Sequence, residues 1–351
     1  MTVSRRKFLG IAGAAVAAPA VMRVTRANAA EVTLRMHHFL PPVALAQTKF
    51  LAPWAKKVEA DSGGRIAIQI FPSMQLGGTA PQLYDQAKDG IVDMVWTLPG
   101  YTAGRFPTAE VFELPFIAHK SAAVNSRATQ EFADNHLTKT DFKDTKLLCF
   151  WTHDDGLIHS NKQVKTLDDL KGQKLRFPTR YAGEGLKAAG VNTVGMPVPQ
   201  VPESLAQRVI DGAVVPWEVV PAIKLQELTK FHTEIPGSPT FYVATFLLVM
   251  NTAKYESLPA DLKAAIDKNA GAPAAEMAGK VWEETSDGVE EMVRKRSGNT
   301  ITMLPEEDKE KWMKLTQPVH ESWLAAMKEK GQDGTKLMEE AKSLLAKYAK
   351  A

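Results

Sequence analysis

The chain has one cysteine, Cys149, among 351 residues. A lone thiol cannot form an intramolecular disulfide, so the fold must be held by its apolar core, which a chain of this length can supply. Cys149 falls in the apolar run 146–151 and reads as a buried strand residue rather than a nucleophile. The sequence also lacks Gly-x-Ser-x-Gly and His-Glu-x-x-His, which argues against a secreted serine or zinc hydrolase. No apolar stretch is long enough to span a bilayer; the one near the start, residues 8–22, is short and built mostly from Ala, Gly and Val. Internal repeats and low-complexity linkers are missing as well.

Charge excess of one sign is the last absence. The formal net charge of +3 rests on residues 1–29, which carry five basic side chains and no acid. Removing those five from the 43 basic residues leaves 38 against 40 acidic ones, which gives no case for a nucleic acid or an anionic lipid as partner.

What is present at the start is an export signal. Ser4-Arg5-Arg6-Lys7-Phe8-Leu9 carries the twin-arginine signature, an apolar run follows, and Ala27-Asn28-Ala29 is a small-x-small cleavage site. Head, apolar run and cleavage motif in that order predict export by the twin-arginine route to the periplasm, with cleavage after Ala29. The remaining 322 residues exceed what one core usually serves, so two lobes are expected.

Beyond residue 30, strand-like and helix-like segments alternate with short turns, the pattern of an α/β protein with crossover helices. Strands are predicted at 32–36, 65–71, 91–97, 146–151, 174–177, 192–195, 213–215, 242–250 and 300–304. Helices are predicted at 42–60, 79–88, 121–136, 184–188, 203–210 and 273–296, followed by a Lys/Glu/Ala-rich terminal pair. The run 242–250 is the longest apolar strand candidate and reads as a hinge strand between lobes. The division expected is a first lobe of 30–152 plus about 243–280, and a second of 153–242 plus about 281–351 with the C-terminal helices.

Five segments carry a family resemblance. They are Gly64-Arg65-Ile66 through Phe71-Pro72 with Gln75-Leu76-Gly77-Gly78, then Asp89-Gly90-Ile91-Val92-Asp93-Met94, Val111-Phe112-Glu113-Leu114-Pro115-Phe116, Leu170-Lys171-Gly172-Gln173-Lys174-Leu175-Arg176, and Ile210-Asp211-Gly212-Ala213. Together, and in this order, they resemble the DctP-type solute-binding proteins of TRAP transporters. The resemblance implies a two-lobed periplasmic-binding-protein-like fold with hinge strands crossing between lobes, a ligand between the lobes, and delivery to a TRAP membrane permease. It also implies that Arg176 binds a carboxylate.

Arg176 has a physical reading beside the family one. It lies at the carboxyl end of a predicted strand, where open α/β sheets place ligands, and a guanidinium grips a carboxylate with two parallel charge-assisted bonds. Arg180 and Arg105 are second candidates. After Asp211-Gly212 many relatives carry a Gln-Glu-Asn-Pro type sequence; here Ala213-Val214-Val215-Pro216 stands instead, so an amide is lost and Val215 leaves an apolar patch. Trp217 and Glu218 follow and are expected to shape that wall. Trp96, Tyr101, Trp151, Phe177 and Phe241 fall at or just beyond strand ends and join the candidate lining, with Gln75 from the polar turn.

Aromatic walls favour an aromatic or hydroxy monocarboxylate; a C4-dicarboxylate or a 2-oxo acid is the second choice. Neighbouring histidines on a strand point to opposite faces, so His37 and His38 are not expected to share a metal. His153, just past a strand, is expected to hydrogen-bond the ligand or the hinge. Some relatives hold their substrate through a bridging cation, a role that would fall to Glu218; no metal and no cofactor are expected otherwise. The rival class is an exported oxidoreductase, for which Gly183-Glu184-Gly185 opening a helix is a loose dinucleotide fingerprint.

Overall fold

Why the chain makes two sheets is visible in how often it leaves one and returns to it. The structure, a computed structural model, describes residues 30–350; the export signature and Ala27-Asn28-Ala29 lie outside these residues. The described residues hold eleven strands: β1 Val32–His37, β2 Ile66–Phe71, β3 Met94–Thr97, β4 Thr145–Thr152, β5 Leu157–Ser160, β6 Lys174–Phe177, β7 Asn192–Gly195, β8 Gly212–Val215, β9 Phe231–Glu234, β10 Thr245–Asn251 and β11 Thr300–Met303. They form a five-stranded sheet, β2-β1-β3-β10-β4, and a six-stranded sheet, β11-β9-β5-β8-β6-β7.

The first three strands pair in parallel through crossover helices, as βαβ units require. The chain then passes from β4 into the second sheet as β5, builds that sheet, and returns as β10. That strand runs antiparallel between β3 and β4 and is buried along its whole length, which explains its near-continuous apolar sequence. It therefore does not itself cross between the lobes. The crossing is made by the irregular residues before it, 235–244, lying beside the other crossing, 153–156; Gly156 N–H donates to Tyr242 O at 3.1 Å. A Cβ on Gly156 would come within 2.0 Å of the Tyr242 ring, so glycine is what lets the two crossings pack.

The helix Ala272–Lys295 is the third link. Its Trp282 is fully buried against Phe50, Trp151 and Phe246. Gly279 lets this helix press against Ala122–Phe132, since a Cβ there would meet the Ala123 backbone at 2.8 Å. The C-terminal region holds three helices where a pair is predicted: Glu306–Leu315, Gln317–Glu329 and Gly334–Ala349. Trp312 donates to Gly185 O on the second lobe, whereas the terminal helix lies against Ala122–Phe132 and pairs Lys347 with Glu131. Among the described residues no helix is long and apolar enough to cross a membrane.

Two other sequence expectations are revised. The strand predicted at 91–97 starts at Met94, and the helix predicted at 203–210 is Val201–Ala206. Strands β5 and β9 were not anticipated: each has four residues and a histidine in a fully buried position, His159 and His232, which hides them from a hydropathy reading.

Candidate functional site

Between the two sheets lies a cavity enclosed by residues of both lobes, mostly apolar with a few polar groups, as small-molecule sites are. The first lobe contributes an aromatic wall. Phe39 stacks on Trp96 with centroids 4.9 Å apart, Trp96 stacks in turn on the core residue Trp151, and Phe246 closes the side. The second lobe contributes Val198, Val215, Pro216 and Val219, so both faces of the space are apolar.

Into this surround β6 brings Arg176, only 1% exposed. Its Nε donates to Met196 O at 2.9 Å and its Nη1 to Val214 O at 3.1 Å, which fixes the guanidinium plane. Nη2 has no partner among the described residues, nor do the Tyr242 hydroxyl and Trp96 Nε1, all three on residues that line the cavity. Buried donors are rarely left unpaired, and a buried cation needs an anion, so the set is chemically suited to a carboxylate. Burial lowers the Arg176 pKa, while the neighbouring hydroxyls of Tyr101 and Tyr242 raise it again. Burial in turn pushes both tyrosines up, so each hydroxyl keeps its proton and can donate. Tyr101 already accepts from Val198 N–H at 3.1 Å, a bond that joins the lobes across the cleft.

His153 is on the wall, but its polar atoms are committed. Nδ1–H donates to Asp154 O at 2.6 Å and Nε2 accepts from Ala244 N–H at 2.8 Å. An amide can only donate, so the imidazole is neutral, in accord with burial lowering its pKa to about 3. Glu218, 2% exposed, also lines the cavity; its Oε1 accepts from Ala46 N–H on the first lobe at 3.2 Å, and burial pushes its pKa up to about 7.

Of the residues singled out in the sequence, Arg176, Trp96, Tyr101, His153, Glu218 and Val215 meet in this cavity. The others do not. Trp217 faces the far side, donating to Glu234 and packing edge-on against His159. Phe177 and Arg180 line an adjacent cleft, where Arg180 bonds Glu184. Phe241 stacks on Trp312 in the core of the second lobe, 4.0 Å between centroids. Trp151 lies behind Trp96. Gln75 is exposed in its turn, and Arg105 is held by Asp85 through both terminal nitrogens. His37 and His38 bond different partners, Gln86 and Gln47. Gly183 and Gly185 are used for packing: a Cβ on either would strike Phe177, or Pro115 and Phe241. Sequence reading missed Tyr242, Phe39 and Phe246; Tyr242 was visible only as the start of an apolar run.

Two α/β lobes, repeated crossings between them and a buried cation in an interlobe cavity are the architecture of a solute receptor. The chain belongs to the bacterial extracellular solute-binding proteins of family 7, DctP, which it matches over residues 37–327. It is thus a solute receptor of the TRAP class, working with a TRAP membrane permease. It is 42% identical to a TRAP solute-binding protein of Rhodoferax ferrireducens T118 solved with copurified benzoate, covering 91% of this chain and 99% of that one with a TM-score of 0.87. A marine-metagenome TRAP solute-binding protein, specific for aromatic acid ligands and solved with 3-hydroxybenzoate, is 44% identical over 91% of this chain and 99% of that one, TM-score 0.88. The C4-dicarboxylate-binding periplasmic protein DctP of Rhodobacter capsulatus is 22% identical over 90% of this chain and 93% of that protein.

Proposed function

We propose that this chain captures an aromatic monocarboxylate in the periplasm and hands it, chemically unchanged, to its permease. The observation that carries the reading is the Arg176 guanidinium, fully buried with Nη2 free, in a cavity whose walls are otherwise aromatic and aliphatic. The carboxylate takes Nη2 and the hydroxyls of Tyr101 and Tyr242; the ring lies between the Phe39–Trp96 wall and the valines of the second lobe. The two solved proteins above, with benzoate and 3-hydroxybenzoate, support the same class. A C4-dicarboxylate fits less well, because Arg176 is the one cation among the described residues lining the cavity and a second carboxylate would meet Glu218.

The lobes divide at the crossings 153–156 and 235–244, with the terminal helix belonging to the first lobe. Ligand favours the closed arrangement because it touches both lobes at once, and the bonds Tyr101–Val198 and Ala46–Glu218 hold that arrangement. Export runs through the twin-arginine signature with cleavage after Ala29. Replacing Arg5 and Arg6 by lysine should trap the precursor in the cytoplasm.

The decisive experiment is mass spectrometry of ligand released from freshly purified protein, with a thermal-shift screen of organic acids beside it. Benzoate-type acids should raise the melting temperature and be recovered unaltered after long incubation. Stabilisation by C4-dicarboxylates alone, or conversion of a bound acid into product, would overturn the proposal.

A further inference from the structure

An acid in the wall of an anion site calls for an explanation. Glu218 follows β8 in the turn Trp217–Val219 and lines the same cavity as Arg176. One of its oxygens accepts from Ala46 N–H. The Trp282 indole N–H, which has no other partner among the described residues, lies close to the carboxyl and with Ala46 N–H favours its ionised form against burial, leaving its remaining lone pairs for a ligand donor. An ionised Glu218 repels a bound carboxylate in a low-dielectric site, unless the ligand brings a donor to it.

We propose that Glu218 reads a hydroxyl carried on the ring of the ligand, accepting its proton in a hydrogen bond, so that the receptor prefers hydroxylated aromatic monocarboxylates over unsubstituted ones. This rests on the aromatic-acid reading above. The geometry supplies both poles: the cation of β6 takes the carboxylate, and the acid beyond the adjacent strand β8 takes the hydroxyl. A phenol donating to a carboxylate makes a charge-assisted bond, roughly twice as strong as a neutral one. The same acid rejects a second carboxylate, which confines the site to monoacids.

The charge state of Glu218 gives the test its handle. Burial raises its pKa to about 7, so it passes from mostly neutral to mostly ionised between about pH 6 and about pH 8. The other groups in its surroundings are Arg176 from β6, Tyr101 from the turn Pro99–Tyr101, and Tyr242, His153 and Asp154 from the two crossings. Arg176 and the tyrosines keep their charge state across that range, His153 is neutral above about pH 3, and burial raises Asp154. Neither benzoate nor 3-hydroxybenzoate changes its own charge there.

The experiment is titration calorimetry of both acids at about pH 6 and about pH 8, in the parent protein, in Glu218→Gln and in Asp154→Asn. Gln keeps an oxygen for Ala46 N–H but cannot ionise, and Asp154→Asn controls for the second titratable acid. In the parent, benzoate should weaken as pH rises while 3-hydroxybenzoate holds, so the preference for the hydroxylated acid grows to about tenfold at the higher pH. In Glu218→Gln the preference should shrink and lose its pH dependence; in Asp154→Asn the rise with pH should remain. A parent preference that does not change with pH, or one that survives Glu218→Gln, overturns the inference and leaves Glu218 as a latch to Ala46. If neither acid binds the parent protein, the aromatic-acid reading itself has failed.

Discussion

The backbone N–H of Ala244 donates to Nε2 of His153 across 2.8 Å, and this bond ties together the two irregular segments that carry the chain between its sheets. The imidazole must stay neutral to accept it. With its pKa lowered from 6.5 to about 3 by burial, the folded state binds fewer protons than the unfolded one throughout that interval. The bond's contribution is therefore fully present above about pH 6.5 and is lost as pH falls towards 3. Thermal unfolding of the ligand-free protein should show this acid limb, on the order of a few kcal/mol, and His153→Gln should flatten it. An acid limb of the same size in the variant would assign the effect to other groups.

Glu113 produces the opposite slope. Its carboxyl, 1% exposed, accepts from Thr245 N–H at 3.0 Å and from the Thr245 hydroxyl at 2.7 Å, yet burial still pushes its pKa from 4.5 up to about 8. Here the folded state holds a proton that the unfolded state has released, so stability falls as pH rises from about 4.5 to about 8. Glu113→Gln keeps the oxygen that Thr245 uses and removes the ionisation. The variant should be more stable than the parent at about pH 8 by on the order of 1 to 3 kcal/mol, and close to it at about pH 5, as read from urea midpoints. Equal midpoints at the higher pH would show that Glu113 is not the titrating group.

Arg176→Lys should weaken binding although the charge is kept. A lysine ammonium cannot reach Met196 O and Val214 O and still present a planar N–H to the ligand. Loss of one charge-assisted bond costs about 1.5 to 3 kcal/mol, or roughly tenfold to a hundredfold in affinity. Calorimetry with benzoate measures it directly, and an unchanged dissociation constant would mean that the carboxylate sits elsewhere.

Val215→Asn restores the amide found in the commoner family pattern and sets it against the ring. Val215 is 2% exposed, so an unmatched amide there should lower benzoate affinity by about 1 to 3 kcal/mol. Acids with more hydroxyl groups should lose less. A panel of ring and sugar acids that ranks identically in parent and variant would place this side chain away from the ligand.

The sequence by itself determined the class of fold, because alternating apolar strands and amphipathic helices of the observed lengths pack as parallel α/β units and little else. It also singled out Arg176, since a residue near the carboxyl end of a strand that precedes a helix lies where such sheets open to ligand. It could not separate Trp217 from Glu218. The two are adjacent in one tight turn, and successive side chains in such a turn point in directions about 120° apart, so only the packing of β8 against its neighbours decides which one faces the cavity. Nor could it find Tyr242 or fix the role of His153. Both lie in segments with no repeating pattern, and their positions depend on one crossing lying against the other: Gly156 beneath the Tyr242 ring, and Ala244 N–H on the imidazole. Residues 91 apart in the chain form that last contact, and local sequence carries no information about it until the two sheets have assembled.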